Sequence, residues 1–371
     1  MPKIYRDPRE GRTLVLCPPG IGSFVRATPA LHALTQALGP ERVSLFATTP
    51  AVALTARMSG LFQRVYSWSP ERDGWLKAAA LLAEIRDDRF THSLTLFPAS
   101  HWTFSLFQLV GGATFRAGFR YPHQRLPELV QHHSLPLAQT HEVHQNLRLV
   151  EMFLQDEHLH PVAPFLPVKA QRPAQQPDEP YFACHPGASM ERGRFDKRLS
   201  PDVFAALIRN IHRETGWKCV LVGGPEEQAV RAAVAMECRD ALACAVETKT
   251  LAETAGLLGG ARFFLGNDSG PLHLAAAMGT RCAAYFGPSD EALVGPYGHD
   301  EPVGAAGADG GVGNASFPPR HLILRRENST PVRTLEAIGR PVRLTRAEVR
   351  ERWNLDPARA WPRLREWLAT L

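Results

Sequence analysis

Short apolar runs alternate with helix-length stretches along this chain, and one proline-rich segment divides the series in two. Such alternation needs crossover connections, and crossovers build parallel sheets with helices on both faces. The first series reads as strands at Thr13–Cys17, Val43–Ala47 and 92–97, with apolar residues at helical spacing over 75–85. Pro18-Pro19-Gly20 turns the chain after the first strand. Pro29-Ala30-Leu31 reads as a helix start, because proline in a first turn loses no hydrogen bond. Prolines at 161, 164, 167, 173, 177 and 180 exclude helix and suit strand poorly. The second series predicts strands at 181–184, Lys218–Val222, 262–266 and 282–286, and helices at Pro201–Thr215, 225–238 and 251–258. Residues 304–313 read as a mobile glycine-rich loop, and 345–371 as helix broken around Asp356-Pro357.

The division predicts domains over 1–165 and 181–344, a linker over 166–180 and a helical tail over 345–371. At 371 residues, 44% hydrophobic and 21% charged, the chain can bury two cores. Disordered, collagen-like and coiled-coil classes are excluded. No apolar run approaches the roughly 18 residues of a membrane span. The polar start MPKIYRDPREGR shows no signal peptide, so a cytoplasmic protein is expected. Six cysteines without a CxxC pair read as buried thiols rather than disulfides or a zinc site. His141-Glu142-Val143-His144 is not HExxH, and no metal is expected. A net charge of +5 suits an anionic ligand or membrane face without requiring nucleic acid.

Three segments carry chemistry. In Gly266-Asn267-Asp268-Ser269-Gly270-Pro271 a strand ends, the chain turns and proline opens a helix. Backbone N–H groups at that helix start, with the Ser269 hydroxyl, suit phosphate oxygens. Asp268 repels phosphate and suits a ribose or sugar hydroxyl, while His273 lies one turn on, placed to donate to a phosphate. The plain alternative is an Asx turn with a helix N-cap. The second segment follows His185, where Gly187-Ala188-Ser189 permits close backbone approach and Arg192, Arg194, Lys197 and Arg198 supply charge for a diphosphate. A solvated basic loop is the bland reading. The third, Gly223-Gly224-Pro225-Glu226-Glu227, offers a carboxylate for a ribose or base at the same sheet edge.

In this order the pieces resemble glycosyltransferase family 9, the ADP-heptose:lipopolysaccharide heptosyltransferases. The resemblance spans 14–34, 97–119, 185–201, 222–227 and 266–298, and NDSGPLHLAAAMGT with YFGPSD and GPYG is its most specific part. It implies an α/β GT-B fold, two Rossmann-like doubly wound domains facing across a cleft, with the tail packing back on the first. It implies inverting transfer of a sugar, heptose from ADP-heptose, to an anionic glycan or lipopolysaccharide-core acceptor, without cofactor or metal. Peripheral contact with the inner membrane belongs to the same expectation. By position, Ser189 and Lys197 match the donor-diphosphate residues. Asp268, Ser269, Gly270 and His273 match the loop binding the donor's sugar and phosphates. Glu227, ahead of Glu226, matches the acid near the nucleoside. Gly22, Arg26 and Arg120 fall on the acceptor side, the last in a basic stretch with Arg116, His123 and Arg125.

One position departs from the family pattern. A Gly-Asp pair, whose Asp is the proposed general base, stands six residues before Pro-Ala-Leu in the family, and here it reads Gly22-Ser23. A serine hydroxyl is far too weak a base near neutral pH. Another group serves, with His101 one candidate, or positioning and diphosphate stabilisation suffice, or transfer has been lost. The alternative is therefore a nucleotide-sugar-binding homologue without transferase activity. A sugar-nucleotide epimerase has least support, since Gly20-Ile21-Gly22 lacks a third glycine and no YxxxK pair appears.

Overall fold

The computed structural model describes residues 7–69, 72–156, 159, 162–188, 198–297, 320–338 and 344–371. Ser189, Lys197, Arg192, Arg194 and the run 304–313 lie outside the described residues. Contacts divide the chain into two units, Met1–Val168 with Thr334–Pro341, and Lys169–Arg333 with Val342–Leu371. The first division falls inside the proline-rich stretch. Its second half is tied to the second unit, where the Gln171 N–H donates to the Ala252 carbonyl at 2.9 Å.

The first unit holds β1 (Thr13–Cys17), β2 (Val43–Ala47), β3 (Arg64–Ser67), β4 (His92–Thr95), β5 (Phe115–Arg120) and β6 (His133–Pro136). They form one parallel sheet in the order β3-β2-β1-β4-β5-β6. Its helices are α1 (Ile21–Leu38), α2 (Pro50–Met58), α3 (Trp75–Asp87), α4 (Trp102–Val110), α5 (Leu126–Val130) and α6 (Glu142–Leu154). The second unit repeats the plan with β7 (Tyr181–His185), β8 (Lys218–Val222), β9 (Leu242–Val246), β10 (Phe264–Asn267), β11 (Cys282–Tyr285) and β12 (Leu322–Leu324). Its order is β12-β11-β10-β7-β8-β9, again parallel throughout. The helices there are α7 (Pro201–Thr215), α8 (Gln228–Glu237), α9 (Leu251–Gly259), α10 (Gly270–Ala277), α11 (Glu291–Val294), α12 (Arg346–Trp353) and α13 (Pro357–Leu368).

Both orders are doubly wound α/β, with the winding direction reversing between β1 and β4 and between β7 and β10. Open sheets of this kind bind ligands at the carboxyl ends of the strands beside such a reversal. The central strands are buried on both faces, so β1 and β7 read as continuous apolar runs rather than alternating ones. In the first unit Leu14, Leu16, Phe46, Tyr66 and Trp68 pack with Phe104 and Phe107 of α4.

Two expectations are corrected. The helix predicted to open at Pro29 begins at Ile21, and Pro29 stands inside it. Proline there cannot donate to the Val25 carbonyl, and the Thr28 hydroxyl donates to that oxygen instead, at 2.7 Å. Gly22, Ser23 and Arg26 therefore occupy the first turns of α1. The tail, expected on the first domain, packs on the second. Val349, Trp353, Leu355, Ala360, Leu364, Trp367 and Leu368 share one buried core with Phe182, Ile208, Ile211 and Phe263. The cause is the i, i+4, i+7, i+8 stripe of α13, which lies against α7, with Trp367 edge-on to Phe263 at 5.7 Å. The helix break falls between α12 and α13, where Asp356 caps the Ala358 N–H at 2.9 Å.

Candidate functional site

Beside the reversal in the second unit, three strand ends converge. His185 closes β7, Glu227 ends the 3-10 turn after β8, and Ser269 follows β10 as N-cap of α10. The His185 ring bridges the other two, Nε2 to Glu227 Oε2 at 2.9 Å and Nδ1 to Ser269 Oγ at 3.1 Å. All three are buried. Glu227 Oε2 also accepts the Gly224 N–H at 3.0 Å. Burial pushes the Glu227 carboxyl up, but the His185 hydrogen bond and charge, the Gly224 N–H and the Arg198 charge together hold it below the ordinary value. Glu227 is thus an ionised carboxylate that accepts from imidazole Nε2–H, while the bond between Nδ1 and the Ser269 hydroxyl can run in either direction.

This arrangement changes what the helix start offers. An N-cap serine ordinarily accepts a first-turn N–H, yet Ser269 makes no such side-chain bond. Its hydroxyl turns to His185, so it takes none of the donors of α10's first turn. Asp268 and His273 are both buried, with His273 Nε2 3.8 Å from Asp268 Oδ1. Gly187 has a local reason for being glycine. A Cβ there would lie 2.2 Å from Glu227 Oε1, so its smallness admits the carboxylate.

Sequence reasoning missed His185 as a site residue, and it missed Asn267. Wholly buried at the end of β10, Asn267 donates from Nδ2 to the Pro186 and Gly187 carbonyls, each at 2.9 Å. Its Oδ1 accepts the Leu199 N–H at 2.9 Å. One side chain therefore holds both stems of the segment that carries Ser189 and Lys197. The available signal was the position itself, a polar residue at the end of an apolar strand. Glu226, the second choice for the nucleoside acid, is exposed beside Glu227.

In the first unit the reversal lies at α1's start. Ser23 Oγ accepts from Arg26 Nη2 at 3.3 Å. Arg26 in turn is buried against Glu142, the first residue of α6, at 2.8 Å from Nε and 2.7 Å from Nη2. Burial and then the Glu142 charge push both the Cys17 thiol and the Tyr121 hydroxyl up, placing this carboxylate near the ends of β1 and β5. The guanidinium expected on the acceptor side is thus engaged by a buried partner. His101 is the N-cap of α4, and its Nδ1 accepts the Thr103 N–H at 3.4 Å. That nitrogen serves the helix start. Arg120 is exposed and 3.5 Å from Glu128. Arg116 donates to the Val130 and Ala113 carbonyls, each at 2.8 Å, and His123 meets the Glu336 carbonyl at 2.8 Å.

The six cysteines are unpaired, five buried and Cys244 half-buried. Among the described residues no group of three metal-ligating side chains occurs, and no helix is long and apolar enough to cross a membrane. A cavity of about 830 Å³ between residues 324–332 and the helices α12 and α13 shares no residue with the His185 cluster.

Comparisons with known proteins agree with this architecture. Escherichia coli ADP-heptose LPS heptosyltransferase II superposes over 97% of this chain and 99% of its own, with TM-score 0.65 and 17% identity. E. coli heptosyltransferase WaaC with ADP matches over 87% and 95%, with TM-score 0.62 and 18% identity. At these identities the likeness is one of fold, here GT-B. Lipopolysaccharide heptosyltransferase 3 of E. coli is 31% identical over 100 residues, a stretch that spans 26% of this chain and 29% of that protein. The sequence model of the family matches residues 79–306, well over half of the chain, and the chain belongs to glycosyltransferase family 9 (heptosyltransferase).

Proposed function

We propose that this protein transfers heptose, with inversion, from ADP-heptose to an anionic glycan or lipopolysaccharide-core acceptor. The observation that carries the reading is the cluster at the β7/β10 reversal, where a buried carboxylate and a helix start stand side by side. Glu227 takes nucleoside hydroxyls through Oε1, since Oε2 is held by His185 and Gly224. The first turn of α10, from Gly270, meets the diphosphate, with Ser269 and His273 as side-chain donors. Asp268 accepts from the donor sugar. Ser189 and Lys197 belong to the segment whose stems Asn267 holds, and they bring a further hydroxyl and a positive charge to the phosphates. As the acceptor hydroxyl attacks the anomeric carbon, the departing diphosphate is stabilised by Lys197, His273 and the α10 dipole. The acceptor side is the start of α1, with Gly22 and Ser23 at its first turn and Arg120 farther along the same unit. Work at the cytoplasmic face of the inner membrane, with peripheral contact there, completes the proposal.

Calorimetric titration with ADP-heptose tests it. Tight binding is expected for the parent, and a loss of about tenfold or more for Asp268→Ala and for Lys197→Ala, as a charge-assisted hydrogen bond is worth roughly 1.5–3 kcal/mol. Unchanged affinity in both variants would overturn the site assignment.

A further inference from the structure

We propose that His185 links diphosphate binding to proton uptake, by reversing the hydrogen bond it shares with Ser269. The inference rests on the donor-site reading above and adds a residue and a proton count to it.

The geometry sets up two states. In the neutral ring, Nε2–H donates to Glu227 and Nδ1 accepts, so the Ser269 hydroxyl spends its only proton on the ring. A phosphate oxygen arriving at the start of α10 then meets serine lone pairs, which repel it. Add one proton from solvent at Nδ1 and the bond reverses. Nδ1–H now donates to Ser269 Oγ, and the hydroxyl proton is released to point at the phosphate. Glu227 carries the resulting imidazolium as an ion pair at 2.9 Å. An N–H bond forms at Nδ1 as a buffer acid or hydronium gives up its proton, no heavy-atom bond changes, and the phosphate's own charge favours the protonated state. Ser269 is suited to the exchange because its hydroxyl is not engaged as the helix cap.

Charged and titratable groups surround the ring from each neighbouring element. After β8 come Glu227 and, on α8, Arg231, which donates to the Gly224 carbonyl at 3.2 Å. On the loop after β7, Arg198 donates to the Ala188 carbonyl at 2.7 Å. At the start of α10 lie Asp268 and His273. Arg231 and Arg198 are held by carbonyls, which leaves Glu227 as the carboxylate in hydrogen-bond contact with the ring.

ADP-heptose is the right probe, because each of its phosphates carries one ester and one anhydride bond and has no group that titrates near neutral pH, unlike the terminal phosphate of ADP. Titrating it calorimetrically in two buffers of different ionisation enthalpy, at a series of pH values, counts the protons exchanged on binding. The parent is expected to take up as much as one proton, with affinity falling by up to about tenfold per pH unit wherever uptake is seen. Ser269→Ala and His185→Gln are each expected to bind more weakly and to take up clearly fewer protons than the parent. Circular dichroism and melting establish that each variant is folded, and Ser269→Ala decides the matter alone if His185→Gln is not. A parent that binds with no proton uptake, or a Ser269→Ala variant with the parent's proton count, overturns the linkage and leaves the donor site standing. A parent that does not bind ADP-heptose at any pH overturns the donor site and the linkage with it.

Discussion

Gly187 and the Glu227 carboxylate occupy one space, since a Cβ at 187 would stand 2.2 Å from Glu227 Oε1 and 2.5 Å from Cδ. Relief requires moving a buried carboxylate that is already fixed by His185 and by the Gly224 N–H. Gly187→Ala is therefore expected to displace Glu227, cost about 1–3 kcal/mol of stability and weaken ADP-heptose binding. Urea unfolding and calorimetry check the two effects together. Loss of stability without loss of affinity would separate Glu227 from the donor.

Asn267→Asp keeps the shape of the side chain and reverses its chemistry. The two carbonyls that Nδ2 now satisfies, at Pro186 and Gly187, would face a carboxylate oxygen in a fully buried site. A loss of at least about 2 kcal/mol is expected from the unsatisfied groups alone. Donor affinity should fall further than in Asn267→Ala, because repulsion opens the loop stems rather than merely releasing them.

Arg26 and Glu142 form a pair whose side chains are 8% and 0% exposed. Arg26→Met strands a charge in the interior and is expected to cost about 3–5 kcal/mol, whereas Arg26→Met with Glu142→Leu recovers most of it. Denaturant midpoints of the singles and the double give the coupling directly. A near-neutral single would mean that water reaches Glu142.

His321 predicts an acid-sensitive window. Burial, then the charges of Arg320 and Arg281, push its imidazole from the ordinary 6.5 down to about 3, while Nδ1 accepts the Cys282 N–H at 3.1 Å. The unfolded chain binds this proton below about pH 6.5 and the folded chain does not, so stability rises with pH there. The contribution is complete above 6.5 and is lost as pH falls toward about 3. His321→Asn keeps an acceptor for Cys282 and cannot titrate. Its urea midpoint should change less than the parent's between about pH 7 and pH 5, above the range where carboxylates dominate. Parallel curves for the two proteins would refute the assignment.

Legibility followed distance along the chain. The turn at Asp268-Ser269-Gly270-Pro271 was readable because glycine and proline punctuate locally, and the alternation of strands and helices fixed the α/β class. The start of α1 was not, because Thr28 compensates for Pro29 through a side-chain bond that no propensity records. His185 meets Glu227 across 42 residues and Ser269 across 84, a closure supplied only by strand order. The stripe on α13 was visible as amphipathic, but periodicity names no partner, and it covers α7 of its own unit.

Ser23 carries the last prediction. It sits in the first turn of α1, where a helix dipole favours negative charge, and Arg26 Nη2 already donates to its hydroxyl at 3.3 Å. Ser23→Asp would therefore introduce an ionised carboxylate at the position where the family pattern has its base. The helix terminus should gain about 0.3–1 kcal/mol, which a melting curve detects without any substrate. General-base assistance is worth about 10²–10⁴-fold, but the guanidinium beside it weakens the new base, so the lower part of that range is expected for transfer. The measurement is the rate of ADP release from ADP-heptose with a lipopolysaccharide-core acceptor. A variant that is stabilised and faster supports acceptor activation at this turn. A variant that is stabilised and slower shows that proton removal does not depend on this position, and that the carboxylate only hinders the acceptor.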